Sequence, residues 1–217
     1  MRPFPLRPDL QALLIVDMQN DFVRVGAPQE VPTAREIVPS VAGLAEAFRR
    51  RRRPVIYTRF LAGPAATLIT LWSPECGADQ RSCWLGHQRS YSDVVGPREG
   101  PGVIDELAPR RGELVIDKYG YGAFHNTMLG DVLRALSVSQ VVVTGVVTQI
   151  CVEDTVRQGM QLGLEMVLVR DGVASFDADL HNATLRNVEM KFGVVTDSGE
   201  VLALTGDGGE PVTAHSA

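Results

Sequence analysis

Short apolar runs recur along the chain at the length of buried strands, and stretches of helical periodicity separate them. Ala12-Leu13-Leu14-Ile15-Val16 is the first run, and it ends at Asp17. From Ile37 to Arg52, Val41, Leu44, Ala45 and Phe48 fall on one helical face. Pro54 closes that segment, and Val55-Ile56-Tyr57-Thr58 reads as the second strand. Leu114-Val115-Ile116 predicts a third, ending near Lys118. A helix over Thr127–Leu136 leads to the β-branched run Gln140–Thr144, which Gly145 closes. The next helix spans about Ile150 to Leu162, with Val152, Val156 and Met160 on one face and Gly163 as its stop. Leu164–Val169 predicts a fifth strand, Asp179–Lys191 a helix, and Gly193-Val194-Val195 a short last strand.

Strands that alternate with helices predict an α/β fold. The strands are continuously apolar, as in a parallel sheet covered on both faces. Residues 61–102 break the rhythm: they are rich in Pro, Gly and Ser and hold both Trp72 and Trp84. An irregular insertion of this length is a binding loop or lid, or else a surface excursion or subunit contact. The expected organisation is one domain over residues 1–204, followed by a Gly- and Ser-bearing flexible tail over 205–217.

Composition narrows the setting. The chain has 217 residues, 45% hydrophobic and 22% charged, with a formal net charge of -5. That charge argues against a dedicated nucleic-acid binder. No apolar run reaches the length of a membrane span, and residues 1–10 lack an apolar signal core. Three cysteines, Cys76, Cys83 and Cys151, do not form a disulfide framework. A cytoplasmic protein is expected, acting on a small molecule, without nucleic-acid or membrane partners.

In parallel α/β sheets, ligands bind beyond the carboxyl ends of the strands. Asp17 follows the first strand, Lys118 the third, and Cys151 opens the helix after the fourth. An acid, a cation and a thiol thus converge on one rim from three distant positions. A helix N-terminus favours a thiolate and offers N–H groups to an oxyanion. Taken singly, each residue has a plainer reading: a small core thiol, a turn aspartate, a solvated lysine. A histidine base would have to be His87, His125, His181 or His215, none of which directly follows a strand. Asp17 is the alternative base, since burial raises a carboxyl pKa toward that of a thiol.

The segments Ala12–Phe22, Lys118–Phe124 and Gly145–Val152, with the Gly163 turn and Val169–Ser175, resemble the isochorismatase-like cysteine hydrolases. The resemblance spans roughly Leu10 to Val195. It implies a three-layer α/β/α, Rossmann-like fold with a six-stranded parallel sheet in the order 3-2-1-4-5-6. It further implies a triad of Asp17, Lys118 and Cys151, in which Asp17 moves the thiol proton, Lys118 holds the aspartate and Cys151 attacks a carbonyl. A non-proline cis peptide maps to Val146–Val147, and the oxyanion donors to the backbone N–H groups of Val147 and Cys151. The resemblance also implies a homo-oligomer, dimer or tetramer.

Two departures shape the expected chemistry. Nicotinamidases of this superfamily carry an Asp-x-His metal motif where this chain reads Thr58-Arg59-Phe60-Leu61-Ala62-Gly63, so no metal and no cofactor are expected. Isochorismatases that cleave a vinyl ether often lack the cysteine, and its presence here favours a small amide, imide, urea or carbamoyl compound. A vinyl-ether hydrolase and a catalytically silent binding protein stand as alternatives. Phe22 and Tyr119 flank catalytic positions and are expected to line the substrate pocket; core or interface packing is the plainer reading of Trp72 and Trp84. The five arginines Arg49–Arg53 read as a solvated helix end. Cys76, Cys83 and His87 match no compact zinc spacing.

Overall fold

The strand Gln11–Val16 (β1) is buried along its whole length, and its side chains enter two different cores. Leu13 and Ile15 pack on one face of the sheet, and Ala12, Leu14 and Val16 on the other. This alternation explains the continuous apolar run: a central strand has no solvent face. The computed structural model describes residues 2–63 and 68–205. The remaining strands are Val55–Phe60 (β2), Gln88–Arg89 (β3), Arg98–Glu99 (β4), Leu114–Lys118 (β5), Gln140–Val146 (β6), Glu165–Ala174 (β7) and Val194–Thr196 (β8). Six of them form one parallel sheet in the order β5-β2-β1-β6-β7-β8; β3 and β4 make a separate antiparallel pair. Numbered among the sheet strands alone, the order is the expected 3-2-1-4-5-6.

The helices are Asn20–Val23 (α1), Ala34–Arg50 (α2), Ile69–Trp72 (α3), Leu129–Ala135 (α4), Glu153–Gln161 (α5), Ala178–Asn187 (α6) and Ser198–Thr205 (α7). The apolar stripe of α2, Ile37, Val41, Leu44 and Phe48, covers the Leu13/Ile15 face. Leu129 and Leu133 of α4 and Val156 of α5 cover the opposite face. One-turn π-helices, Thr148–Val152 and Val188–Phe192, precede α5 and follow α6. Of the expected tail 205–217, residues 206–217 lie outside the described residues, and Thr205 ends α7. Among the described residues, no helix is long and apolar enough to cross a membrane.

Three features depart from the expected pattern. Strand β7 runs on to Ala174, and its pairing with β6 shifts register between Val143 and Gly145. Helix α7 has no counterpart in the sequence reading. The arginine run is only partly solvated: Arg49 reaches Glu113 and the Tyr57 hydroxyl, and Arg53 donates to the Gln11 carbonyl. Arg49 thereby joins the helix end to the edge of the sheet.

Gly145 is the residue that lets β6 run close to β1 at the rim. It pairs with Val16 at φ +110°, and a Cβ there would lie 2.0 Å from the Val16 carbonyl oxygen and 2.7 Å from its nitrogen. Gly112 also has positive φ, +91°, but has open space around it. Gly112→Ala is therefore expected to destabilise by about 1 kcal/mol, the conformational term alone. Gly145→Ala adds a backbone clash and is expected to cost on the order of 3 kcal/mol or more. Urea unfolding of the two variants measures the difference; equal losses would show that the close approach at Val16 does not constrain the rim.

Candidate active site

Asp17 lies one residue past the end of β1, at the point where the strand order reverses between β1 and β6. It is fully buried and has φ +51°, a conformation uncommon outside glycine. The neighbouring strand holds it there. Thr58 of β2 accepts from the Asp17 backbone N–H at 3.3 Å and donates its hydroxyl to Asp17 Oδ1 at 2.6 Å. Oδ2 faces Lys118 Nζ at 2.7 Å as an ion pair and makes no well-directed hydrogen bond. Gln19 continues the tie: its side chain accepts from Phe60 N at 2.6 Å and donates to Phe60 O at 3.0 Å.

Lys118 is the last residue of β5, paired in register with Phe60. Strand β5 lies two strands from β1, roughly 10 Å away at about 4.8 Å per strand, and the long lysine side chain spans that gap. Its ammonium donates to the Gly120 carbonyl at 3.1 Å and lies 5.3 Å from the Phe60 ring centroid. Burial alone would lower the Lys118 pKa; Asp17, and then the Cys151 thiol, more than offset this, so it is raised and the side chain stays charged.

Cys151 sits in the π-turn after β6. Both Ile150 N and Val152 N donate to the Val147 carbonyl, and the Val146–Val147 peptide bond is cis. The turn is anchored below by Thr155, whose hydroxyl donates to the Cys151 carbonyl at 2.6 Å and accepts from Ala123 N at 3.0 Å. The thiol lies close enough to Asp17 and Lys118 for both charges to act on it. Burial pushes its pKa well above the ordinary thiol range; Lys118 pulls it down, and Asp17 pushes it further up. Burial thus disfavours the thiolate form of the free site.

A cavity of about 320 Å³ opens over Cys151. Phe22, Phe60, Tyr121 and Val147 line it, with Trp72 and Phe176 at its mouth. The structure thus brings Asp17, Lys118 and Cys151 together and puts Phe22 in the cavity. Tyr119 is not there: it is 68% exposed and does not line the cavity. The chain turns after β5, and Tyr121 takes the inward position. Trp72 lines the mouth rather than the core, whereas Trp84 packs inside, donating to the Cys76 carbonyl at 2.7 Å.

Of the candidate histidine bases, His181 shares a hydrogen bond with Thr148 at 2.9 Å through Nδ1, and its burial lowers its pKa. His125 is exposed beside Asn126, and neither lines the cavity. His87 lies in the insertion, and His215 lies outside the described residues. Among the described residues, no three His, Cys, Asp or Glu side chains gather as a metal-ligand set. Cys76 and Cys83 converge on Gln29 Oε1, at 3.4 and 3.9 Å.

Sequence reasoning missed the residues that hold the insertion over the site. Asp21 is buried and accepts from Cys83 N, Arg89 Nε and the Tyr91 hydroxyl at 2.7, 3.1 and 2.7 Å. Gly100 makes room for this carboxylate, since a Cβ there would lie 2.2 Å from Asp21 Oδ2. The adjacent Asn20 amide donates to the carbonyls of Glu99 and Gly102, both at 3.0 Å. The only signal in the sequence was the run of polar residues directly after β1.

A doubly wound sheet that buries a carboxylate, an ammonium and a thiol at its switch point has the architecture of the isochorismatase-like hydrolases. The chain belongs to the isochorismatase family: the Isochorismatase domain model matches residues 11–200. It is 29% identical over 223 residues to the ureidoacrylate amidohydrolase RutB of Pseudomonas savastanoi pv. phaseolicola, covering 97% of this chain and 90% of the relative. The crystal structure of a cysteine hydrolase from Pseudomonas syringae pv. phaseolicola superposes with a TM-score of 0.83 at 27% identity, over 94% of this chain and 96% of that one. N-carbamoylsarcosine amidase from Thermoplasma acidophilum superposes with a TM-score of 0.68 at 28% identity, covering 87% and 96% of the two chains.

The electrostatics of the site predict a signed pH response. A raised thiol pKa keeps Cys151 protonated through neutrality, so its alkylation by iodoacetamide should accelerate into the alkaline range without levelling near an ordinary thiol pKa. Asp17→Asn removes the charge that raises it and should move the profile to lower pH. Lys118→Met removes the charge that lowers it and should move the profile to higher pH. Peptide mapping separates Cys151 from Cys76, which burial pushes up to about 12, and from Cys83, pushed well above the ordinary range. Shifts in the same direction for both variants would contradict the geometry.

Proposed function

We propose that Cys151 is the nucleophile of a metal-independent hydrolase that cleaves a C–N bond in a small amide, imide, urea or carbamoyl compound. The observation that carries this reading is one thiol in the lining of a cavity sized for a small molecule, close enough to the buried Asp17–Lys118 pair to feel both charges. The chain is a hydrolase of non-peptide C–N bonds by its kinship; the names of two relatives specify a ureido or a carbamoyl amide. That supports carbamoyl compounds as the leading substrate class.

The proposed sequence begins with a neutral thiol, because burial disfavours a resting thiolate. Sγ attacks the carbonyl carbon as its proton passes to Asp17 Oδ2, the oxygen without a well-directed hydrogen bond. Lys118 compensates the charge at Asp17 before transfer and the charge on the developing tetrahedral oxyanion afterwards. The backbone N–H groups of Val147 and Cys151 are the proposed oxyanion donors. The C–N bond breaks as Asp17 returns the proton to the leaving nitrogen, and Cys151 keeps the acyl group as a thioester or the carbamoyl group as a thiocarbamate. Water, deprotonated by Asp17, then attacks that carbonyl; the C–S bond breaks and Asp17 returns the proton to Sγ, restoring the thiol. A cavity-lining thiol within the field of both charges favours this route over vinyl-ether hydrolysis, which has no step for it.

Ammonia release screened over small ureas, carbamoyl compounds, amides and imides tests the reading. Cys151→Ala and Cys151→Ser are expected to reduce turnover of the best substrate by at least about 10³-fold, with thermal unfolding close to wild type. Turnover that persists in Cys151→Ala, with the fold intact, would rule out Cys151 as the nucleophile.

A further inference from the structure

The charge lining the cavity is one-sided. Glu30 and Glu75 stand in its wall, and among the described residues no arginine or lysine lines it. Lys118 lies behind Cys151 and is matched by Asp17 at 2.7 Å. Glu30 is likewise matched, by Arg35 at 2.9 Å, and also accepts from Gly26 N at 2.8 Å. Glu75 differs: it is half-buried in the short turn Pro74–Cys76, and its carboxylate has no hydrogen bond or ion pair among the described residues. The undescribed stretch 64–67 reads Pro64-Ala65-Ala66-Thr67, and residues 206–217 contain no lysine or arginine. Neither stretch therefore supplies a lysine or arginine to neutralise Glu75.

Around this carboxylate the cavity is aromatic. Phe22, Phe60 and Tyr121 form its inner wall, and Trp72 and Phe176 its mouth. Ring faces attract a cation and repel an anion. One neutral donor is built in as well. Gln29 Oε1 accepts from the Ser82 hydroxyl at 2.9 Å and faces both thiols, Cys76 and Cys83. Those donors set the orientation of the amide and leave Nε2 without a partner among the described residues. A carboxylate entering here would meet Glu75 with no counter-charge, whereas an ammonium would meet a carboxylate and several ring faces.

We propose that Glu75 is a specificity-determining residue, and that it selects amides or carbamoyl compounds whose non-scissile end carries a positive charge and rejects those that carry a carboxylate. The inference rests on Cys151 marking the reacting end of the cavity. It separates this chain from relatives whose names specify an acrylate or a sarcosine, both of which bear a carboxylate.

Three N-substituted chloroacetamides of similar length test it without requiring turnover: N-(3-aminopropyl), N-butyl and N-(2-carboxyethyl). Each alkylates Cys151 by displacing chloride; Sγ forms a thioether, and the thiol proton passes to Asp17 or buffer. At about pH 8.5 the alkylammonium remains charged. Rates of Cys151 labelling, located by peptide mass spectrometry and normalised to free N-acetylcysteine, are compared in wild type, Glu75→Gln and Glu75→Lys. The cationic reagent is expected to label wild type fastest and the carboxylate slowest, with a spread on the order of tenfold or more. Glu75→Gln should reduce that spread to about twofold, and Glu75→Lys should invert the order.

Equal rates in wild type, a fastest carboxylate, an order unchanged by Glu75→Lys, or no labelling of Cys151 by any reagent would overturn the assignment. Ammonia release separates the two readings. The predicted labelling order without hydrolysis of any amide tells against the hydrolase and leaves the selectivity standing. Cys151-dependent hydrolysis without a charge order tells against the selectivity alone.

Discussion

An ammonium and a carboxylate held 2.7 Å apart beneath the rim of a parallel sheet are the constraint on which the rest of this site depends. Removing each ion from water costs several kcal/mol, and the pair survives only because the two compensate each other and find further partners. Thr58 and the Gly120 carbonyl supply those partners. The pair also fixes geometry, because Asp17 and Lys118 come from strands two positions apart with β2 between them. The backbone accommodates it: Asp17 takes a left-handed conformation, and Gly145 gives β6 the close approach to β1 that sets the π-turn beside it. A buried pair of this kind is poor evidence of stabilisation, since apolar side chains would serve as well. In the proposed mechanism its value lies in giving Cys151 a proton acceptor and a positive charge.

Much of this was legible in the sequence. Uninterrupted apolar runs such as Ala12–Val16 mark strands buried on both faces, and parallel sheets place ligands at the carboxyl ends of such strands. Asp17, Lys118 and Cys151 could be grouped from their positions at run ends, and the family resemblance joined them as a set. What stayed hidden depends on where the chain goes after a strand stops. Tyr119 and Tyr121 look equivalent by position, but the turn that brings the Gly120 carbonyl to Lys118 sends the first outward and the second into the cavity. Helix α7 and the extension of β7 to Ala174 lacked a local signal of their own.

The insertion was the least legible part, for a specific reason. Its seating relies on contacts between residues more than sixty positions apart, such as Asp21 with Cys83, Arg89 and Tyr91. Periodicity carries no information about such pairs. The same seating places the insertion at the cavity. One catalytic-side residue, Asp17, and one insertion-side clasp, Asp21, lie four positions apart on the segment leaving β1. The insertion brings Trp72, Ser73 and Glu75 to the cavity, while Phe22 and Gln29 reach it from the β1 side. In the proposed reading the chemistry is anchored in the sheet and discrimination falls to the loop-rich insertion.

The central claim is that Cys151 accepts the acyl or carbamoyl group from substrate. Rapid acid quench during turnover of the amide that releases ammonia fastest, followed by intact-protein and peptide mass spectrometry, observes that event directly. The account predicts a transient mass increase equal to the acyl or carbamoyl fragment, located on the peptide containing Cys151 and absent in Cys151→Ala. An adduct on another residue, or rapid Cys151-independent turnover with no adduct at any time, would contradict it.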